Sequence, residues 1–152
     1  MKVVSSKQMK CIEQEAINAG ISQDELMENA GLSIAKTVYS RLDSSHKKGV
    51  LSLVGPGNNG GDGLVASRIL HKWHIPVVIY LATNSSNCNE KYQQCIDSNI
   101  RVITASSDFG QKILCHELLN AGIILDAVFG AGSSQRVDDD LYAIFNNINA
   151  ST

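Results

Sequence analysis

Apolar and polar positions along this chain change period partway, dividing it into a helical opening and an alternating remainder. Met9, Ile12, Ala16 and Ala19 recur at helical spacing behind Ser5 or Ser6, either of which can cap the helix, and Gly20 stops it. Ser22 and Glu25 then form an S-x-x-E capping box. Behind it a stripe of Leu26, Met27, Ala30, Ile34, Val38 and Leu42 predicts a second helix to about residue 42, and 43–49 reads as a polar connector. From Val50 the pattern becomes β–α alternation. Short apolar runs predict strands at 50–54, 76–81, 101–104 and 123–128. Between them lie a helix with Leu64, Val65, Ile69 and Leu70 on one face, a helix over 87–99 with Asn87 and Glu90 at capping-box spacing, and a helix over 107–121 capped by Ser107 and ended by Gly122. A last helix opens at Asp138 or Asp139 and runs to about residue 149.

Such alternation, with crossovers of about a dozen residues or more, means a doubly wound, Rossmann-like parallel sheet of the α/β class. In the strand order 3-2-1-4, strands one and four are neighbours whose connections leave in opposite directions, and ligands bind in the crevice outside their carboxyl ends. The residues after strand one therefore meet those after strand four. The two opening helices precede the first strand and cannot be its crossover, so they must lie over a sheet face or a partner subunit.

The stretch after strand one carries the chemistry. Gly55-Pro56-Gly57-Asn58-Asn59-Gly60-Gly61-Asp62-Gly63 holds five glycines in nine residues. Strand, glycine loop and helix together aim backbone N–H groups at one point, an anion site. Gly55, Gly57 and Gly60 satisfy G-x-G-x-x-G, but a dinucleotide site of that kind also wants an acid roughly 20 residues on, and residues 79–84 hold none. A P-loop would need Lys-Ser/Thr where Gly61-Asp62 stands. Two amides and a carboxylate thus replace the lysine. The plainer reading, a tight turn that packs helix on strand, has no need of Asn58, Asn59 and Asp62 together.

With 152 residues the chain makes one domain, and 43% apolar and 18% charged residues describe a globular protein. Thirteen basic and fifteen acidic side chains give a net charge of −2, without the basic cluster of a nucleic-acid or membrane-surface binder. No apolar run reaches the ~18 residues of a membrane span, and the first ten residues lack a secretory apolar core. Cys11, Cys88, Cys95 and Cys115 form no C-x-x-C pair, which points to reduced thiols and a cytoplasmic protein. His71 and His74 sit at i, i+3, a spacing that can hold a metal, but no third ligand accompanies them and a surface role is the simpler account.

Asp126 lies inside a run, 123–129, that otherwise reads as a fully buried strand. An ionised carboxylate there is costly unless a cation or several donors meet it. One reading is an Asp bonded to backbone N–H groups of a neighbouring loop. The other is a cation ligand, in which oxygens of Asp126 and Asn59, joined by carbonyls and water, suit a hard ion rather than zinc.

The stretch GPGNNGGDGLVASRIL resembles the signature of the NAD(P)H-hydrate epimerase family, the N-terminal domain of the YjeF type. Gly20-Ile21-Ser22 with Leu26-Met27-Glu28-Asn29-Ala30-Gly31, and Asp126-Ala127-Val128-Phe129-Gly130-Ala131-Gly132, resemble two further elements of that family. The resemblance covers essentially the whole chain, in order and spacing. It implies interconversion of the R and S forms of NADHX and NADPHX, with potassium bound at Asn59 and Asp126. It implies substrate contacts at Asn58, Asn59, Gly60, Gly61 and Asp62, and at Gly130, Ala131, Gly132, Ser133, Ser134, Gln135 and Arg136. Ser133 and Ser134 can donate to phosphate oxygens, and Arg136 can pair with them bidentately or remain a solvated loop charge. Leu26 to Gly31 is implied to line one edge of the site.

The family's expected acid/base Asp and a cation-site Ser lie on a strand after the last helix, in a D-x-P-S-G-like element. The sequence ends at Thr152 before such an element, so a C-terminally truncated, incomplete domain lacking full activity is the expectation. The resemblance also implies a possible homodimer through the opening helices and, in many relatives, fusion to an ADP/ATP-dependent hydrate dehydratase domain. The competing classes are a non-catalytic binding or scaffold module on the same fold, for which the cation ligands would be useless, and an ordinary NAD-dependent dehydrogenase, weakened by the missing ribose-binding acid.

Overall fold

The computed structural model describes residues 4–42, 48–83, 89–130 and 139–151. Its elements, in chain order, are α1 (Ser6–Asn18), α2 (Gln23–Tyr39), β1 (Val50–Val54), α3 (Gly57–Lys72), β2 (Val77–Leu81), α4 (Asn89–Asp97), β3 (Arg101–Thr104), α5 (Lys112–Asn120), β4 (Ile123–Ala127) and α6 (Asp139–Ser151). The strands form one parallel sheet in the order β3-β2-β1-β4, as the alternation predicts.

Side-chain alternation on β1 divides the core into two. Val50 and Val54 face α2, α3 and α4, packing with Ala35, Leu64, Leu70 and Cys95. Leu51 and Leu53 face α5 and α6, packing with Leu114, Leu118, Leu141 and Ile144. Helices thus cover both faces of a sheet whose central strand is wholly buried. Burial pushes the Cys95 thiol up to about 11, so it is an inert core residue.

α2 begins at the predicted capping box, Ser22 with Glu25, and of the two candidate caps for α1 it is Ser5 that caps, forming with Gln8 a capping box that was not expected. Their fates differ. α2 buries Gly31, Ala35 and Val38 against α3 and the sheet. α1 has no buried residue, and Met9 and Ile12 are 46% and 48% exposed.

Several local expectations are corrected. The helix after β1 starts at Gly57, inside the glycine stretch rather than beyond it. That stretch is therefore a one-residue bend, with Gly57 at φ 78, followed by two helical turns. Ser107 does not cap α5. It lies in a short 3-10 turn, and a second turn through Gly110 and Gln111, both at positive φ, leads into the helix. Asp108 caps instead, its carboxylate accepting from Ile113 N at 2.9 Å and Leu114 N at 2.8 Å. α3 ends at Lys72, and His74 lies past it at φ 63, so the two histidines do not share a helical face. The expected cap Asn87, and Cys88, fall outside the described residues.

The fourth strand is the largest correction. It is only partly buried along 123–125, and Asp126 is exposed rather than buried. Among the described residues β4 pairs with β1 alone, so one flank of the strand has no neighbour to cover it. No helix of the described residues is long and apolar enough to cross a membrane.

Candidate functional site

The glycines of the first two α3 turns are contact points. A Cβ on Gly60 would overlap the carbonyl of Gly55. On Gly61 it would lie 2.6 Å from Met27 Sδ, and on Gly63 2.5 Å from Ala127 Cβ. α3 is thereby seated at once on the end of β1, on α2 and on β4. The packing role set against a functional one in the sequence is real for these three positions. It does not account for the polar residues between them.

Asn59 ties the two remote glycine segments together. A Cβ on Gly130, just past β4, would lie 3.2 Å from Asn59 Cβ and 3.8 Å from Asn59 Oδ1. The ends of β1 and β4 are themselves stitched by Gly55 N donating to Ala127 O at 3.1 Å. The crevice outside the carboxyl ends of β1 and β4 is therefore built as the strand order requires. Asn58, exposed, and Asn59, half-buried, stand at the N-terminus of α3, which Pro56 leaves without a side-chain cap. The positive end of that helix faces whatever enters.

Asp62 sits one turn further along α3, so it is not in the first turn, where a helix dipole would account for it. Burial raises its carboxyl, the negative charge of Glu13 on α1 adds to the effect, and together they push it up to about 6. Asp126, at the end of β4, accepts from Val128 N at 3.0 Å through Oδ1. This is the backbone-bonded arrangement, made by its own strand end rather than a neighbouring loop. Ala131, Gly132, Ser133, Ser134, Gln135 and Arg136 lie outside the described residues.

Sequence reasoning missed the device that holds the α2 wall. Arg68 on α3 donates to both carboxylate oxygens of Glu28 at 2.7 Å, and Lys91 on α4 donates to Glu28 at 2.7 Å and pairs with Asp24 at 2.7 Å. Burial opposes charge on both Glu28 and Lys91, but their partners overcome it, holding Glu28 below the usual carboxylate range and Lys91 above its usual value. Glu28 lies beside Met27 in the L-M-E-N-A-G stretch, and a Cβ on Gly31 would overlap Val65 of α3. The only available signal was a Glu interrupting an apolar stripe.

The arrangement offers two amides, the N-terminus of a helix and the carboxyl groups of Asp62 and Asp126 around the ends of β1 and β4. Among the described residues no group of three or more His, Cys, Asp or Glu could hold a metal. The oxygens of Asn59 and Asp126 are hard donors, of the type that suits a hard cation. Because Asp126 is exposed, burial does not compel one.

The chain matches a family described as "YjeF-related protein N-terminus" over residues 23–152. It is 35% identical to an NAD(P)H-hydrate epimerase of Candida albicans, covering 85% of this chain and 55% of that protein. With an NAD(P)H-hydrate epimerase of Oenococcus oeni the identity is 33%, over 97% of this chain and 68% of the relative. A bifunctional NAD(P)H-hydrate repair enzyme Nnr of Thermofilum pendens is 31% identical over 99% of this chain, which spans only 29% of that enzyme. The crystal structure of the yeast protein ynu0 superposes with a TM-score of 0.82 at 27% identity, covering 99% of this chain and 66% of that one. The chain thus spans little more than half of the Candida relative's length.

Proposed function

Since the chain belongs to the YjeF-related N-terminal family, we propose that its crevice binds NADHX or NADPHX and interconverts their R and S forms. What supports this most is the seating of Asn59 against Gly130, which brings the two glycine segments together. The names carried by the relatives supply the substrate. The uncapped N-terminus of α3 receives the pyrophosphate, and Asn58 and Asn59 orient the nucleotide by amide hydrogen bonds.

At C6 of the hydrated ring a hydroxyl stands beside the ring nitrogen. Once protonated, the hydroxyl leaves as water as the nitrogen lone pair forms the C=N bond of a planar cation, and water re-enters from either face and gives up a proton. Oxygens of Asn59 and Asp126 would hold a potassium ion. When bound, that ion supplies positive charge beside the phosphates. The crevice holds the planar intermediate while water returns to it.

The test is epimerisation of R-NADHX by this chain, coupled to an S-specific dehydratase, in solvent carrying labelled oxygen. Conversion with label at C6 is expected. Retention of the original oxygen removes the expulsion step, and binding of NADHX without any turnover would make the domain a binding module.

A further inference from the structure

Contacts on the first two turns of α3 fix where each position faces. Asn59 is turned to Gly130, Gly61 to Met27 of α2, and Gly63 to Ala127 of β4. At about 100° per residue, Asp62 falls on the remaining side, between the one facing α2 and the one facing Gly130. Asn58 precedes it by four residues and shares that side. Asp62 therefore lies on the side of α3 that is packed on neither β1 nor β4, one turn along from the amide. It is half-buried and has no hydrogen-bond or ion-pair partner among the described residues. The carboxylates of α2 and of the end of β4 are engaged: Glu28 by Arg68 and Lys91, Asp24 by Lys91, and Asp126 by Val128 N. A half-buried carboxyl left unpaired costs stability and serves no packing purpose.

We propose that Asp62 is a proton-transfer residue of this site, protonating the hydroxyl that leaves C6 and accepting a proton from the water that returns. This rests on the epimerase reading above. On departure the ring nitrogen's lone pair forms the C=N bond and the C–O pair stays on oxygen. The Asp62 carboxyl gives its proton, so water and a carboxylate result. On return, water oxygen bonds to C6, the C=N pair goes back to nitrogen, and the carboxylate takes up the proton. Nothing is oxidised or reduced. A residue serving both directions needs both forms present near neutrality, which burial and Glu13 provide by pushing the carboxyl to about 6. Glu13 belongs to α1, where Lys10 and Glu15 are its charged neighbours along the helix. α2, packed on the other side, presents Met27 and the engaged acids Asp24 and Glu28. The helix with no buried residue thereby adds, through Glu13, to what burial does to the acidity of Asp62.

The pH profile of epimerisation separates the alternatives in wild type, Asp62→Asn and Glu13→Gln. Asp62→Asn is expected to lower kcat on the order of a hundredfold or more with KM changed less than about threefold, and to abolish the limb near pH 6. Glu13→Gln is expected to keep most of the activity and move that limb several tenths of a unit to lower pH, since a negative neighbour is removed. A rise in KM alone for Asp62→Asn, or a limb that Glu13→Gln leaves in place, overturns the proton-transfer role while the epimerase reading stands. Absence of epimerisation by the wild type at every pH overturns the epimerase reading and this role with it. Thermal unfolding of each variant is recorded alongside, because loss of fold would lower activity at all pH values without moving the limb.

Discussion

Arg68 Nη2 lies 2.7 Å from both carboxylate oxygens of Glu28, forty residues apart in sequence. The pair clamps α2 onto α3, and Lys91 extends the clamp to α4. Glu28→Gln leaves Arg68 and Lys91, 13% and 8% exposed at the side chain, with a neutral partner. The expected cost is about 2 kcal/mol, below that of a fully buried pair because Glu28 is 35% exposed. Urea unfolding measures it.

The same residue sets an acid limit. Because the folded carboxyl of Glu28 is held below its unfolded value of 4.5, its contribution is complete above that value and is lost as pH falls through the folded one. Wild type should lose stability more steeply than Glu28→Gln below about pH 4.5. Parallel curves for the two proteins would show the clamp to be electrostatically idle.

Asp62 predicts the reverse dependence. Its carboxyl is raised from 3.8 to about 6, so the unfolded chain releases the proton first and native stability falls as pH rises through that interval. At pH 7 the charged form is a net cost, so Asp62→Asn is expected to gain about 1 kcal/mol, a figure reduced for solvent screening of a half-exposed group. The gain should vanish below pH 3.8. A variant equally or less stable than wild type at pH 7 contradicts the burial account.

Gly63→Ala places a methyl 2.5 Å from Ala127 Cβ, and α3 must move away from β4 to admit it. Overpacking of this kind costs about 1–3 kcal/mol. Adding Ala127→Gly should restore part of the loss, which a double-mutant cycle measures as a coupling energy. A strictly additive pair would mean that the helix does not rest on that strand.

Removing the two backbone hydrogen bonds of Asp108 by Asp108→Ala should cost about 1–2 kcal/mol and raise hydrogen exchange at Ile113 and Leu114 first. Uniform exchange across the domain would assign the residue a global role instead.

Potassium at a hundredfold excess over its Kd should stabilise the wild type by about 2.7 kcal/mol relative to the same concentration of lithium. Asp126→Ala should abolish the difference. An unchanged difference in the variant removes Asp126 from the cation site, without reference to activity.

Order and class of the elements were legible along the chain because they depend on local periods. The cap at Ser5 or Ser6 and the capping box at Ser22 mark the opening helices, while the apolar run of β1 and crossovers long enough for parallel strands dictate a doubly wound sheet and bring its first and last strands together. Gly130 meeting Asn59 follows from that topology, and the L-M-E-N-A-G and N-N-G-G-D-G stretches mark the walls involved. What tertiary structure alone decided is how each polar group is met. Asp126 reads as buried from its apolar neighbours, yet its exposure depends on whether a strand lies beside β4. The acidity of Asp62 depends first on its burial and then on a helix some fifty residues earlier, and Glu28 finds Arg68 and Lys91 forty and sixty-three residues away. The free energy of a charge is set by distance and solvent access in three dimensions, and a one-dimensional period carries neither.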